Sequence, residues 1–211
     1  MEIDPATIES TAVYKLLISS VVPRPIAWVS SVDEQGVRNV APFSYFMAIT
    51  DDPPTIAFSS SPRAAGPDTL RAKKDTLRNI EATGAFVVNI VDDALAEQMN
   101  VTSGDYAPEV DEFALANLEA APGVKVKAPR VAQAPIAMEC RLVRTIPVGH
   151  RPHHLVLGEI VYFHLRDDLY DPSTGRLDMH RLRPVGRFAG NLYTHVHDIF
   201  EMKRPVADYR G

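Results

Sequence analysis

The sequence predicts a mainly β fold, an antiparallel barrel carrying peripheral helices. Three observations point there. Runs of β-branched and aromatic residues, each bounded by turn-forming residues, recur along the chain. These runs outnumber the helical patterns and do not alternate with them as βαβ units would. The 17 prolines among 211 residues are scattered, which suits many turns within one domain spanning 1–211 better than a hinge between two.

Taken in order, Ser10 to Ile18 carries an apolar stripe and reads as a helix. Ile26 to Val32 is rich in strand formers; Asp33-Glu34-Gln35-Gly36 supplies a turn, and Val37 to Ala41 returns as a second strand. Pro42 cannot donate to a ladder, so that strand should break or reach an edge there. Thr55 to Ser60 follows the turn Asp51-Asp52-Pro53-Pro54 as a short strand. Asp75 to Thr83 reads as a helix with Asp75 as N-cap and Gly84 as terminator. Ala85 to Val91 is a strongly apolar strand, expected at the centre of the sheet. Asp92 to Asn100 and Asp111 to Leu118 each open on Asp and read as helices. Ile136 to Ile146 and Leu155 to Leu165 are two longer strands on either side of a Gly149 to His154 loop.

The bulk numbers exclude several classes of function. A formal net charge of -5 argues against a nucleic-acid partner, which selects a basic face. The longest apolar runs are far too short to span a bilayer, and Glu2, Asp4 and Glu9 take the place of a basic leader. The expectation is a cytoplasmic protein with no membrane partner. The lone Cys140 lies in an alternating strand and reads as a buried, inert thiol. No GxGxxG fingerprint, Walker motif or HExxH is present, and nothing marks a nucleophile elbow.

Several segments carry possible chemistry. Asn39-Val40-Ala41-Pro42-Phe43-Ser44-Tyr45-Phe46 mixes aromatics with small polar residues at a strand end. Free backbone groups there could meet the polar edge of a planar heterocycle while apolar side chains cover its face; an ordinary strand end is the alternative. The helix start at Lys73-Lys74-Asp75-Thr76, with Ser59-Ser60-Ser61-Pro62-Arg63, offers N–H groups, cations and hydroxyls for a phosphate, or is simply a capped surface helix. In Pro23-Arg24-Pro25 the prolines restrict the backbone and help aim Arg24. Arg187-Phe188-Ala189-Gly190-Asn191-Leu192-Tyr193 joins a cation, aromatics and a flexible glycine. His153 is the loop histidine best suited to a polar ligand contact. The bare His195-Val196-His197 pattern is a weak metal signal, and no metal is expected from it.

In combination these segments resemble the flavin reductase-like family, which includes flavoredoxin and the flavin reductase components of two-component monooxygenases. The resemblance rests on Pro23-Arg24-Pro25-Ile26-Ala27-Trp28, the Asn39 to Phe46 string, Asp52-Pro53-Pro54-Thr55-Ile56, Lys74-Asp75-Thr76-Leu77-Arg78-Asn79-Ile80, Gly84 to Ile90, Gly158-Glu159-Ile160 and Pro184-Val185-Gly186-Arg187. It implies an FMN-binding split barrel of Greek-key-like connectivity, in a homodimer whose interface helps enclose the flavin. It implies that Asn39, Val40, Ala41, Pro42, Phe43 and Ser44 line the ring and ribityl chain. Ser59, Ser60, Ser61, Lys74, Asp75 and Thr76 would serve the phosphate end, with Arg24, His153, Arg187 and Tyr193 as further contacts. The implied activity is reduction of FMN by NADH or NADPH, with electrons passed to oxygen, free flavin or an oxygenase partner. A flavoredoxin-like electron carrier is the alternative. Neither needs a catalytic acid or base, since the cofactor carries the chemistry. Ala189 replaces a glycine common in the family, and the loop at 149–154 is longer than usual; both fall on the nicotinamide-facing side.

Overall fold

A computed structural model describes residues 1–63 and 73–205. A 3-10 turn at Pro5–Thr7 precedes helix α1 (Ser10–Ser20), then strands β1 (Ala27–Val32), β2 (Arg38–Phe43), β3 (Phe46–Asp51) and β4 (Pro54–Ser60). Helix α2 (Asp75–Thr83) leads into β5 (Ala85–Ile90), a 3-10 turn (Asp93–Leu95) and the short helices α3 (Ala96–Val101) and α4 (Glu112–Leu115). Two-residue strands β6 (Ala120–Ala121) and β7 (Arg130–Val131) precede the long pair β8 (Ile136–Val148) and β9 (His153–Leu165). The chain ends with β10 (Tyr170–Asp171), β11 (Arg176–Leu177), helix α5 (Met179–Leu182), β12 (Val185–Arg187) and β13 (Tyr193–His195).

The main sheet has seven antiparallel strands in the order β2-β1-β5-β8-β9-β4-β3. Strands β2 and β3 therefore lie at opposite edges, yet only Ser44 and Tyr45 separate them in sequence. Three Cα steps reach at most about 11 Å, so the sheet must curl until its two edges nearly meet. The result is a barrel split along the β2/β3 seam. Across that seam the Ser59 N–H donates to the Tyr45 carbonyl at 2.9 Å, and the Phe43 and Phe58 rings lie 4.8 Å apart.

The first hairpin shows how local residues set the register. The Asp33 carboxylate accepts the N–H groups of Gln35 and Val37 at 2.9 and 2.7 Å, and Gly36 takes a φ of 91° that favours glycine. That turn pairs Val32 with Arg38 and Trp28 with Pro42. Pro42 does not break β2; it is tolerated because β2 is an edge strand.

The barrel interior is filled by Ala27, Val29, Phe43, Phe58, Phe86, Val88 and Cys140, and α2 closes one side with Leu77 and Ile80. Phe86 packs edge-on against Phe58 at 5.6 Å. Gly158 admits that ring, because a Cβ there would sit 2.4 Å from Phe86 Cζ. A second core, on the other face of β1, joins Trp28 and Val40 to Met99, Phe113 and Val131 beneath α3 and α4. Trp28 is wholly buried, and its indole N–H donates to Thr102 Oγ1 at 2.8 Å. Cys140 is buried too, and desolvation pushes its thiol far above its ordinary range.

Several elements differ from the sequence-based expectation. Helix α2 starts at Asp75 itself, with Lys74 at the N-cap and no side-chain cap, because the Asp75 carboxylate is engaged by Arg63 and Arg78. The span from Asp92 to Asn100 splits into a 3-10 turn and α3. At the next helix Asp111 does cap, accepting from Phe113 and Ala114, but only Glu112–Leu115 is helical. The loop at 149–154 contracts to a tight turn, because β8 and β9 keep pairing as far as Val148 and His153. Strand β3 was not expected at all; it is exposed along nearly its whole length and has no flanking turn signal on its N-terminal side.

Candidate functional site

The split in the barrel opens into a cavity of about 1170 Å³. Its walls come from the β2/β3 connection, the end of β4, the start of α2, helices α1 and α3, and the β12–β13 hairpin. A smaller cavity of about 300 Å³ continues from it around the α2 start, sharing Pro42, Ser61, Lys74 and Ser103.

The larger cavity brings together Arg24, Pro42, Phe43, Ser44, Ser59, Ser61, Lys74, His153, Arg187 and Tyr193 from the sequence-based set. The smaller adds Asn39, Ala41, Asp75 and Thr76. Val40 and Ser60 lie on neither wall. Strand alternation turns Val40 into the second core, and it buries the Ser60 hydroxyl, which has no partner among the described residues. Any ligand contact from these two would have to be through backbone.

Arg24 is held rather than free. Its guanidinium donates to the carbonyls of Ile18 (2.6 Å), Val21 (2.9 Å) and Phe188 (2.9 Å) and to Ser44 Oγ (3.3 Å). Four of the five N–H donors of an Arg are thereby used, so Arg24 clamps the end of α1 and positions Ser44 and Phe188 at the cavity wall. Arg187 stacks over the Tyr193 ring at 4.2 Å and donates to the Gly190 carbonyl, which fixes the β12–β13 hairpin. The Ser59 hydroxyl and His153 Nδ1 are 3.5 Å apart.

At the basic end, Lys74 is half-buried with Nζ 5.7 Å from the Phe43 ring centroid. Burial pulls its ammonium below the ordinary lysine range; Asp105 opposes that and Arg63 adds to it. The first closed turn of α2 runs from Arg78 N–H to the Lys74 carbonyl at 3.1 Å. The N–H groups of residues 75–77 thus have no intrahelical acceptor. Thr76 is turned inward, donating its hydroxyl to Asn39 Oδ1 at 2.6 Å, while Asn39 Nδ2 donates to Glu112 Oε1 at 2.8 Å.

Glu112 was missed from sequence. It is 7 % exposed, lines the smaller cavity, and its Oε2 has no partner among the described residues. Burial pushes its carboxyl up to about 7, against hydrogen bonds that favour the ionised form. Nothing local marks it, because its burial comes from α4 packing against β2. Tyr14 and Asn100 were also missed as wall residues, while Tyr45 and Asn191 lie in segments singled out from sequence without being named as contacts. Burial, then Tyr14, hold the Tyr45 phenol above its ordinary range, with Arg24 opposing.

Taken as a donor set, the two cavities join an apolar and aromatic stretch (Pro42, Phe43, Tyr193) to a cationic helix start. A planar ring covered on its faces and tethered by an anionic tail matches that division.

Comparison with known proteins agrees with the fold. Component B of nitrilotriacetate monooxygenase from Bacillus cereus superposes with a TM-score of 0.89 at 37 % identity, over 96 % of this chain and 98 % of that one. The Pseudomonas fluorescens 2-nitrobenzoate 2-nitroreductase NbaA gives 0.87 at 32 % identity, over 97 % and 96 %. A Shewanella frigidimarina NCIMB 400 protein described as having a split barrel domain gives 0.82 at 20 % identity, over 98 % and 100 %, and supports the fold alone. The model of the flavin reductase like domain matches residues 19–183, most of the chain and every strand from β1 to β11, and the protein therefore belongs to the flavin reductase-like family.

Proposed function

We propose that this protein is an FMN-binding NAD(P)H:flavin oxidoreductase. The observation that carries the reading is the continuity of an aromatic-walled cavity of about 1170 Å³ with the basic start of α2. The volume exceeds the roughly 300–1,000 Å³ of ordinary ligand pockets, which leaves room for a second planar ring beside a flavin. Family membership and the names of two similar structures, a monooxygenase component and a nitroreductase, support the same class.

Lys74, Ser61 and the free N–H groups at the α2 start would bind the phosphate. The 42–44 segment, Ser59 and His153 would orient the ring and ribityl chain, the extended backbone giving in-plane hydrogen bonds and Pro42 and Phe43 giving apolar cover. Arg24 would hold that segment in place through Ser44, and Tyr193 with Arg187 would wall the side where a nicotinamide stacks. The chemistry supplied by FMN when bound is acceptance of hydride from NADH or NADPH and release of electrons to oxygen, free flavin or an oxygenase partner. No side chain on the cavity wall has to move a proton for that transfer. The exposed Val143, Ile146 and Val148 along β8 are the kind of surface a second copy would cover, in line with a homodimer.

The deciding experiment is anaerobic stopped-flow mixing of FMN-loaded protein with NADH and with NADPH. Rapid bleaching of the flavin absorbance by either is expected. Loss of the reductase reading would follow from tight FMN binding with no bleaching, and a carrier role would then stand. Absence of FMN binding would remove both.

A further inference from the structure

At the rim of the cavity, one cluster is not used by the flavin site proposed above. Asp93 lies in the 3-10 turn after β5, and His195 and His197 lie in and just after β13, on the same side of the extended chain. His195 Nδ1 approaches one Asp93 oxygen at 2.6 Å, and His197 Nε2 approaches the other at 2.7 Å. All three ligand atoms lie within 4.8 Å of one another. We propose that Asp93, His195 and His197 form a binding site for Zn²⁺ or a similar first-row divalent cation at the rim of the cavity.

The donor chemistry selects the ion. Two imidazoles and one carboxylate suit zinc and its neighbours, whereas magnesium and calcium take oxygen shells. Zinc bonds nitrogen and oxygen at about 2.0–2.2 Å, which sets ligand atoms about 3.4 Å apart in a tetrahedron. The contacts to Asp93 need to open by less than about 1 Å to accept that shell. Exposed imidazoles can make such a shift, and His195 and His197 side chains are 65 % and 43 % exposed.

The backbone beneath the cluster is already assembled. Val185 N–H donates to the Val91 carbonyl at 3.0 Å, Asp93 N–H to Arg183 at 3.2 Å, and Val196 N–H to Pro184 at 3.2 Å. Both ligand-bearing segments thus belong to one hydrogen-bonded frame, and little ordering remains to be done on binding. Arg183 Nε, 3.0 Å from Asp93 Oδ2, is the built-in competitor, and its side chain is exposed enough to turn away. Three protein ligands leave a fourth position open to water or to a donor atom of a small molecule. Since His195 lines the cavity and β13 carries Tyr193, a bound ion would tie this wall of the cavity to the end of β5.

The test uses tag-free, chelator-treated full-length protein titrated with ZnCl₂ by calorimetry. Asp93→Asn, His195→Gln and His197→Gln are run alongside, with circular dichroism confirming that each folds. One zinc per chain is expected in the unaltered protein. Affinity should fall by about tenfold or more in each variant, since losing even an outer-sphere partner costs about that much. A zinc-dependent rise in melting temperature should accompany binding and vanish in the variants. If the Asp93→Asn/His197→Gln double variant binds zinc as tightly as the unaltered protein, or neither shows saturable binding, the proposal is wrong.

Discussion

Glu112 gives the sharpest test of the site's physics. Its carboxyl is raised from an ordinary 4.5 to about 7 by burial, with Asp75 adding to the rise and hydrogen bonds, that from Asn39 among them, opposing it. A carboxyl raised in the folded state keeps its proton there over a range where the unfolded chain has lost it. Stability is therefore fully present below about pH 4.5, declines as the pH rises towards 7, and is flat above that. At about 1.4 kcal/mol per pH unit the full effect is about 3 kcal/mol. The neighbouring cavity admits water, so about 2 kcal/mol is the working figure. Glu112→Gln isolates the cause. Oε1 already accepts from Asn39, and the unpartnered Oε2 is where the proton of the neutral acid resides, so an amide nitrogen there mimics it. Urea unfolding of the flavin-free protein can be followed through the single, wholly buried Trp28. At pH 5 the two proteins should agree within about 0.5 kcal/mol; at pH 8 Glu112→Gln should be the more stable by about 2 kcal/mol. Unfolding free energies that run parallel from pH 5 to pH 8 would refute the reasoning.

Three further outcomes are expected. Removing the Lys74 charge (K74A) should weaken FMN binding by about 10- to 100-fold, in proportion to lost charge-assisted contacts of about 1.5–3 kcal/mol; Thr76 is left in place because its hydroxyl is buried against Asn39. Flavin fluorescence quenching measures it, and an unchanged melting profile separates binding from folding. Gly158→Ala pushes a Cβ into Phe86 and should destabilise by about 1–3 kcal/mol, read as a lower melting temperature. Glu139 is wholly buried and accepts the N–H groups of Val124, Lys125 and Val126 at 2.6, 2.6 and 2.9 Å, with His164 Nε2 at 2.6 Å. Glu139→Ala orphans all four donors and should cost about 3 kcal/mol or more, with faster amide exchange at residues 124–126.

Strands whose pattern is local could be read directly from the residues. The Ala27–Val32 and Arg38–Phe43 hairpin was legible because Asp33 and Gly36 encode their own turn. The end of α2 at Gly84, with a φ of 70°, was legible for the same reason. Most of the cavity wall was also readable, because the 39–46 and 73–76 strings keep their chemistry in contiguous residues. Which of those side chains face the cavity emerges from the folded barrel alone. Alternation carried Val40 and Ser60 inward, and four acceptors gathered from three segments turned Arg24 from an aimed cation into a clamp. The raised carboxyl of Glu112 and the meeting of Asp93 with residues 102 and 104 positions away were equally out of reach. The physical reason is common to all of these: turns and caps are satisfied by neighbours in the chain. Desolvation, and the convergence of donors on one point, depend on elements that only the closed barrel brings together.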